Sequence, residues 1–249
     1  MSNLALAALP PDQTFDSPAE LEPTAISFHG RSFAEYAQCF ALDVAALKGR
    51  DVLDVAAGAS SFTAEACARR IDAVALDPLY GEAPAALATR VARDSAQLLA
   101  QLKSKPRLFR SKAFPSCAET AADRCAAGQR FLSDYATHSA YGRYVGGSLP
   151  QLPFFDGTFD LVLCAHLLFL ETAGFDFEGH LAACRELVRV SVGEARVFPL
   201  GGAAGRPYPG LARLRRELRA GGIGSQIVEV DSGFPGGAGS TLVLRRAEP

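Results

Sequence analysis

The 249-residue chain predicts an α/β fold in which helices wrap a largely parallel sheet. Two stretches carry that expectation. Residues 50–77 read as strand, small-residue turn, helix and a second strand ending on an acid, and residues 152–164 read as a turn feeding a buried apolar strand. Elsewhere, segments with helical spacing alternate with short apolar runs, the order of βαβ units.

In the first unit Val52, Leu53 and Val55 form the short apolar run of a strand buried on both faces. Ala56-Ala57-Gly58-Ala59 carries no bulk, so a ligand can approach its backbone. Ser60 or Ser61 is placed to cap a helix over residues 63–70. The second strand, residues 71–76, ends on Asp77, about twenty residues past the turn, where an acid meets ribose hydroxyls in nucleotide-type folds. A dinucleotide would call for G-x-G-x-x-G, which is absent, and Asp54 at the strand end would repel its phosphates. S-adenosylmethionine has no phosphate and carries an ammonium and a sulfonium, so an acid on each strand tip suits it: Asp54 near the amino-acid end, Asp77 on the ribose.

Val52-Leu53-Asp54-Val55-Ala56-Ala57-Gly58 resembles the first motif of class I S-adenosylmethionine-dependent methyltransferases, and Leu76-Asp77 resembles the acidic end of their second strand. Ala56, Gly58 and Ser60 stand where that family has three glycines. The resemblance implies a Rossmann-like, doubly wound, seven-stranded sheet with a C-terminal antiparallel hairpin. It also implies S-adenosylmethionine as cofactor, contacted by Asp54, Ala56, Ala57, Gly58, Asp77 and Pro78.

Composition bounds the alternatives. Nearly half the residues are apolar (49%) and the formal charge is −2, which argues against a protein that coats nucleic acid. No run of eighteen apolar residues suggests a membrane span, and the start lacks the basic residues of a signal peptide. Six cysteines without a C-x-x-C pair read as free thiols in a reducing cytoplasm, and no metal site is expected.

Along the chain, residues 1–25 read as a flexible leader and residues 26–249 as the methyltransferase-like domain. Ser32 is a helix cap, with Glu35 completing a capping box. In the resembled family the helix before the first strand lies over the cofactor, so Arg31 and Tyr36 are candidate contacts at the methionine end. Leu79 or Tyr80 is a candidate to pack on the adenine or ribose. Residues 82–142 exceed what that family needs between its second and third strands and read as a helical insertion, with helices over 85–102 and 116–136. A basic cluster from Lys103 to Lys112 reads as a solvated face, with RNA binding as the alternative.

A short third strand is expected over 143–147, followed by a loop in which Ser148 and Leu149 fall where the family contacts adenine. Asp156-Gly157 makes a turn into the strand 159–164, and Cys164 and His166 lie at its carboxyl end, where open α/β sheets bind ligands. Cys164 is a candidate cofactor contact. His166 is the candidate to deprotonate or orient the acceptor. A helix over 176–190, a strand over 195–200, a helix over 211–220 and two strands over 226–230 and 241–244 complete the expected fold.

The function expected is methyl transfer from S-adenosylmethionine to a small molecule. The alternatives are a non-catalytic binding protein on the same fold and an RNA methyltransferase using Lys103–Lys112 and Arg213–Arg219. No Asn/Asp-Pro-Pro-aromatic run follows the fourth strand, which leans away from DNA-base or protein-amide nitrogen as the acceptor.

Overall fold

A computed structural model describes residues 28, 30–104, 116–170, 174–201, 207–230 and 239–247. The leader over 1–25 and the basic cluster from residue 105 on lie outside the described residues. In chain order the elements are α1 (Phe33–Cys39), β1 (Asp51–Val55), α2 (Phe62–Ala68), β2 (Asp72–Asp77), α3 (Pro84–Ser104), α4 (Cys117–His138), β3 (Tyr144–Gly146), β4 (Phe159–Ala165), α5 (Phe177–Arg189), β5 (Ser191–Phe198), α6 (Leu211–Ala220), β6 (Ile223–Glu229) and β7 (Ser240–Arg246).

The strands form one seven-stranded sheet in the order β3-β2-β1-β4-β5-β7-β6. Strands β1 to β5 pair in parallel, and β7 runs antiparallel between β5 and β6. This is the Rossmann-like sheet with a closing antiparallel hairpin that the sequence leads one to expect. The order reverses between β1 and β4, and a ligand crevice opens at such a switch point, beyond the carboxyl ends of the strands.

Register decides which side chains face that crevice from the same side. Asp54 pairs with Ala75 on β2 and with Leu163 on β4. Residues paired across a parallel ladder share a face, and so do residues two apart along a strand. Asp54, Ala75 and Asp77 therefore lie on one face. Val55, Leu76 and Cys164 lie on the other, in a core with Leu181 and Leu187 of α5 and Leu214 and Leu218 of α6.

The face of Asp54 is covered by α1, α2 and the two long helices between β2 and β3. Phe33 and Tyr36 of α1, with Phe40 at its C-terminal cap, pack with Phe62 of α2 over Val52 and Leu163. Leu87 and Val91 of α3 and Phe131 and Tyr135 of α4 pack with Tyr80, Tyr144 and Ala75. Arg143 and the Tyr144 hydroxyl both reach Asp134 of α4, tying that helix to the sheet edge. At its start, α4 carries a full capping box between Ser116 and Glu119.

The chain before α1 runs so close to α4 that only glycine fits. A Cβ on Gly30 would overlap the backbone of Arg124 and Gly128. Gly30→Ala is expected to destabilise the protein by about 1–3 kcal/mol through overpacking, read by urea denaturation.

Several boundaries differ from the sequence expectation. The capping box at the start of α1 is half made. Ser32 Oγ accepts from the Glu35 N–H at 3.4 Å, but the Glu35 side chain is drawn to two arginines instead of the cap. At the start of α2 it is Ser60 Oγ that accepts from a helical N–H, that of Phe62 at 3.0 Å. Strand β5 starts at Ser191, before the apolar run that suggested residue 195. No apolar run marks its start, because Val192 and Gly193 lie at the surface where the register against β4 shifts between Phe159 and Leu161. No helix among the described residues is long and apolar enough to cross a membrane. Cys39, Cys67, Cys125, Cys164 and Cys184 are free thiols.

Candidate functional site

The turn after β1 is held in an uncommon backbone conformation. Ala56 (φ 57°) and Gly58 (φ 59°) are both left-handed, and for alanine this carries a cost of about 1 kcal/mol or more. The curl turns the Gly58 N–H onto Asp77 Oδ2 at 3.0 Å, while the Leu79 N–H donates to Oδ1 at 3.0 Å. Asp77 thus ties the turn of β1 to the tip of β2. Burial raises its carboxyl to about 6, against the lowering effect of the two backbone donors.

Asp54 is fully buried. Its Oδ1 accepts from the Tyr36 hydroxyl at 3.1 Å, and its Oδ2 has no hydrogen-bond partner among the described residues. Burial pushes its carboxyl well above the usual carboxylate range. The Tyr36 phenol partly offsets this, and the negative charge of Asp77 adds to it. Two acids on one face, flanking a turn of small residues, make a place that attracts positive charge.

Phe28 and residues 30–32 lie across the turn. The Phe28 ring is the nearest group to a side chain placed on Gly58, 3.7 Å from a Cβ there. The Phe28 N–H is anchored on Asp94 Oδ2 at 2.9 Å. The Arg31 carbonyl accepts from the Ser61 N–H at 2.9 Å and from the Ser60 hydroxyl at 3.1 Å, so this segment occupies the N-terminus of α2.

Beside the turn sits a charged cluster. Glu35, 3% exposed, accepts from Arg31 Nη1 at 2.8 Å and from Arg124 Nη2 at 2.8 Å on one oxygen, and from Arg124 Nη1 on the other. Burial alone would raise the Glu35 carboxyl, but the two guanidiniums outweigh it and hold it below the ordinary range. His166 Nε2 lies 3.9 Å from Glu35 Oε1. The histidine is itself left-handed (φ 53°), its N–H bonds the Phe198 carbonyl at 2.6 Å, and its ring stands edge-on to Phe198. Strain at the end of a central strand, fixed by pairing to the next strand, aims a side chain. Ligating atoms of Glu35, Cys39 and His166 fall within 4.8 Å of one another, yet two guanidiniums on Glu35 oppose a metal cation there.

The structure brings Asp54, Ala56, Ala57, Gly58, Asp77 and Tyr36 together at the tips of β1 and β2. Pro78 is exposed just beyond, and Ser148 is half-buried two residues past Gly146, which pairs with Asp77. Leu149 and Cys164 are packed in the core of the opposite face, and burial raises the Cys164 thiol to about 12. Tyr80 is not on a ligand face: it is packed against Phe131, Tyr135 and Tyr144, and its hydroxyl donates to the Gly58 carbonyl at 2.6 Å. Sequence reasoning read Glu35 only as a cap and gave no role to Arg124 or Phe28. For Glu35 a signal existed in the Arg31–Glu35 spacing of four; for Arg124 and Phe28 there was none.

No protein-family model matches the chain. A protein of Methanocaldococcus jannaschii, described as uncharacterized protein MJ0045, is 28% identical over 218 residues, covering 87% of this chain and 95% of that protein. The solved structures similar to this chain include several S-adenosylmethionine-dependent methyltransferases. One is a TehB-like enzyme from Corynebacterium glutamicum, 16% identical with a TM-score of 0.46, over 83% of this chain and 84% of that one. Another is magnesium protoporphyrin IX methyltransferase from Synechocystis with bound S-adenosylmethionine, 15% identical with a TM-score of 0.44, over 86% and 81%. A third, from Aquifex aeolicus, is 15% identical with a TM-score of 0.40, over 84% and 90%. None of these likenesses carries the chemistry. That rests on the strand tips.

Proposed function

We propose that this protein binds S-adenosylmethionine at the tips of β1 and β2 and transfers its methyl group to a small molecule. The observation that supports this most is the Asp54 carboxyl: fully buried, with one oxygen lacking a hydrogen-bond partner among the described residues, on the same face as Asp77 across a turn of small residues. A buried polar atom left without a partner is costly, and a cationic ligand relieves that cost. The donor set fits a positively charged nucleoside and disfavours a phosphate.

When bound, the cofactor supplies a methyl group made electrophilic by its sulfonium. The protein supplies placement. In this reading Asp77 accepts from the ribose hydroxyls, and Ala56, Ala57 and Gly58 let the ligand approach the backbone. Asp54, with Tyr36, faces the amino-acid end, and Ser148 and Pro78 border the adenine, with Leu149 packed behind them in the core. Cys164 contributes through the core beneath the crevice. His166 lies where it would orient the acceptor or take its proton. In-line displacement owes much of its rate to such alignment.

The reading has a pH consequence. Ribose hydroxyls donate more strongly to Asp77 when it is ionised, and burial raises its carboxyl to about 6 in the free protein. Affinity from this group is therefore level above that pH. Below it, affinity falls about tenfold per unit until the lower value in the complex is reached.

Calorimetric titration with S-adenosylmethionine and with S-adenosylhomocysteine tests the proposal. A single site with a dissociation constant of about 10 μM or tighter, some 7 kcal/mol, is expected for the first. Binding without transfer to any acceptor would favour a binding protein on this fold. No binding of either compound would remove the proposal.

A further inference from the structure

Asp54 is an unusual group to leave buried. The titratable groups that act on it are Tyr36 of α1, Asp77 of β2, Tyr80 after β2 and Cys164 of β4. None is a cation. Its hydrogen-bond donor among the described residues is a neutral phenol, and its second oxygen has no partner. The guanidiniums in the neighbourhood, Arg31 and Arg124, are engaged with Glu35. An ionised carboxylate without a counter-charge, closed off from water and beside a second acid, costs several kcal/mol. Such a group takes up a proton instead.

We infer that Asp54 is a neutral carboxylic acid in the free protein and gives its proton to solvent when a cationic cofactor enters, so that cofactor binding and proton release are one event. The inference rests on the cofactor reading above. The balance is simple: protein carboxyl plus cation becomes an ion pair plus one proton taken up by buffer. Asp54 then acts as a specificity residue. It strengthens binding of a nucleoside with a charged amino-acid end by ionising against the ammonium, which the demethylated product also carries, and it gains nothing from an uncharged nucleoside such as adenosine. Direction follows from the same exchange. Between the value of the carboxyl in the complex and its raised value in the free protein, affinity for the charged cofactor climbs about tenfold per pH unit as pH rises.

The test is titration of the full-length protein with S-adenosylmethionine at pH 7, in two buffers whose ionisation enthalpies differ widely. At that pH Asp77, which titrates at about 6, is mostly ionised already. The ligand's own α-amino group titrates near pH 8, by the usual value for such groups, and contributes little and in the opposite sense. The expected result is release of close to one proton per cofactor in the wild type and loss of that release in Asp54→Asn, an isostere of the neutral acid. Infrared difference spectra of the wild type should show the protonated carboxyl band disappear on adding cofactor, which keeps the test alive if the variant folds poorly. Binding with the same heat in both buffers, or with equal release in Asp54→Asn, would overturn this inference alone. An absence of binding heat in either buffer, with no thermal shift, would overturn the cofactor reading beneath it.

Discussion

Asp77→Ala lowers affinity for S-adenosylmethionine about 100-fold. Two effects combine. The side chain is placed to accept from ribose hydroxyls, and hydrogen bonds to a charged acceptor contribute about 1.5–3 kcal/mol each. It also holds the Gly58 and Leu79 N–H groups at 3.0 Å, and losing both frees the turn from β2. Asp77→Asn keeps one acceptor oxygen and should lose about tenfold, as expected when half of a charge-assisted contact survives. Asp72→Ala, at the exposed far end of the same strand, should leave the affinity unchanged. Parallel calorimetric titrations of the three variants check this ordering.

Arg124→Ala destabilises the protein by about 3–5 kcal/mol, the usual cost of stripping one partner from a buried ion pair. Arg124 is buried on α4, and it reaches 89 residues back along the chain to Glu35 and 94 back to the Gly30 carbonyl. Its removal leaves a buried carboxylate with Arg31 as its remaining guanidinium partner and frees α4 from the segment over the turn. For a chain of this length the loss corresponds to a fall in Tm of about 10 °C, read by scanning calorimetry. A paired substitution, Glu35→Leu with Arg124→Met, should recover most of it, because a buried ion pair often offers little net stability over well-packed apolar groups. The sign with pH follows from Glu35, whose folded value lies below its unfolded one. Its contribution is present at neutral pH and is lost as pH falls through the acid range of the folded carboxyl.

The parts of this site that could be read from the chain are those set by local rules. Val52, Leu53 and Val55 announce a doubly buried strand, so Asp54 must fall near its tip. The apolar run before Asp77 does the same for β2, and parallel pairing then puts both acids on one face. What local rules cannot supply is tertiary partnership. Glu35 satisfies a capping-box spacing, yet two arginines compete for its carboxylate and win, because a charge closed off from water gains more from guanidiniums than from a backbone N–H. One of those arginines lies in an alanine-rich helix whose placement no periodicity reveals. Tyr80 illustrates the same limit: an aromatic residue just past an acidic strand tip suggested a ligand face, and three packed rings claim it instead. The early start of β5 leaves no signal in the sequence because Val192 stands alone among Ser191, Gly193 and Glu194, and the apolar run begins only with Ala195.

The most direct test of the shared-face arrangement is a crystal structure grown with S-adenosylhomocysteine. The ribose should lie within hydrogen-bonding distance of Asp77, the backbone of Gly58 beneath the ligand, and the amino-acid end toward Asp54. A nucleoside bound elsewhere on the sheet, with the Tyr36 hydroxyl still on Asp54 and Phe28 still covering Gly58, would contradict it.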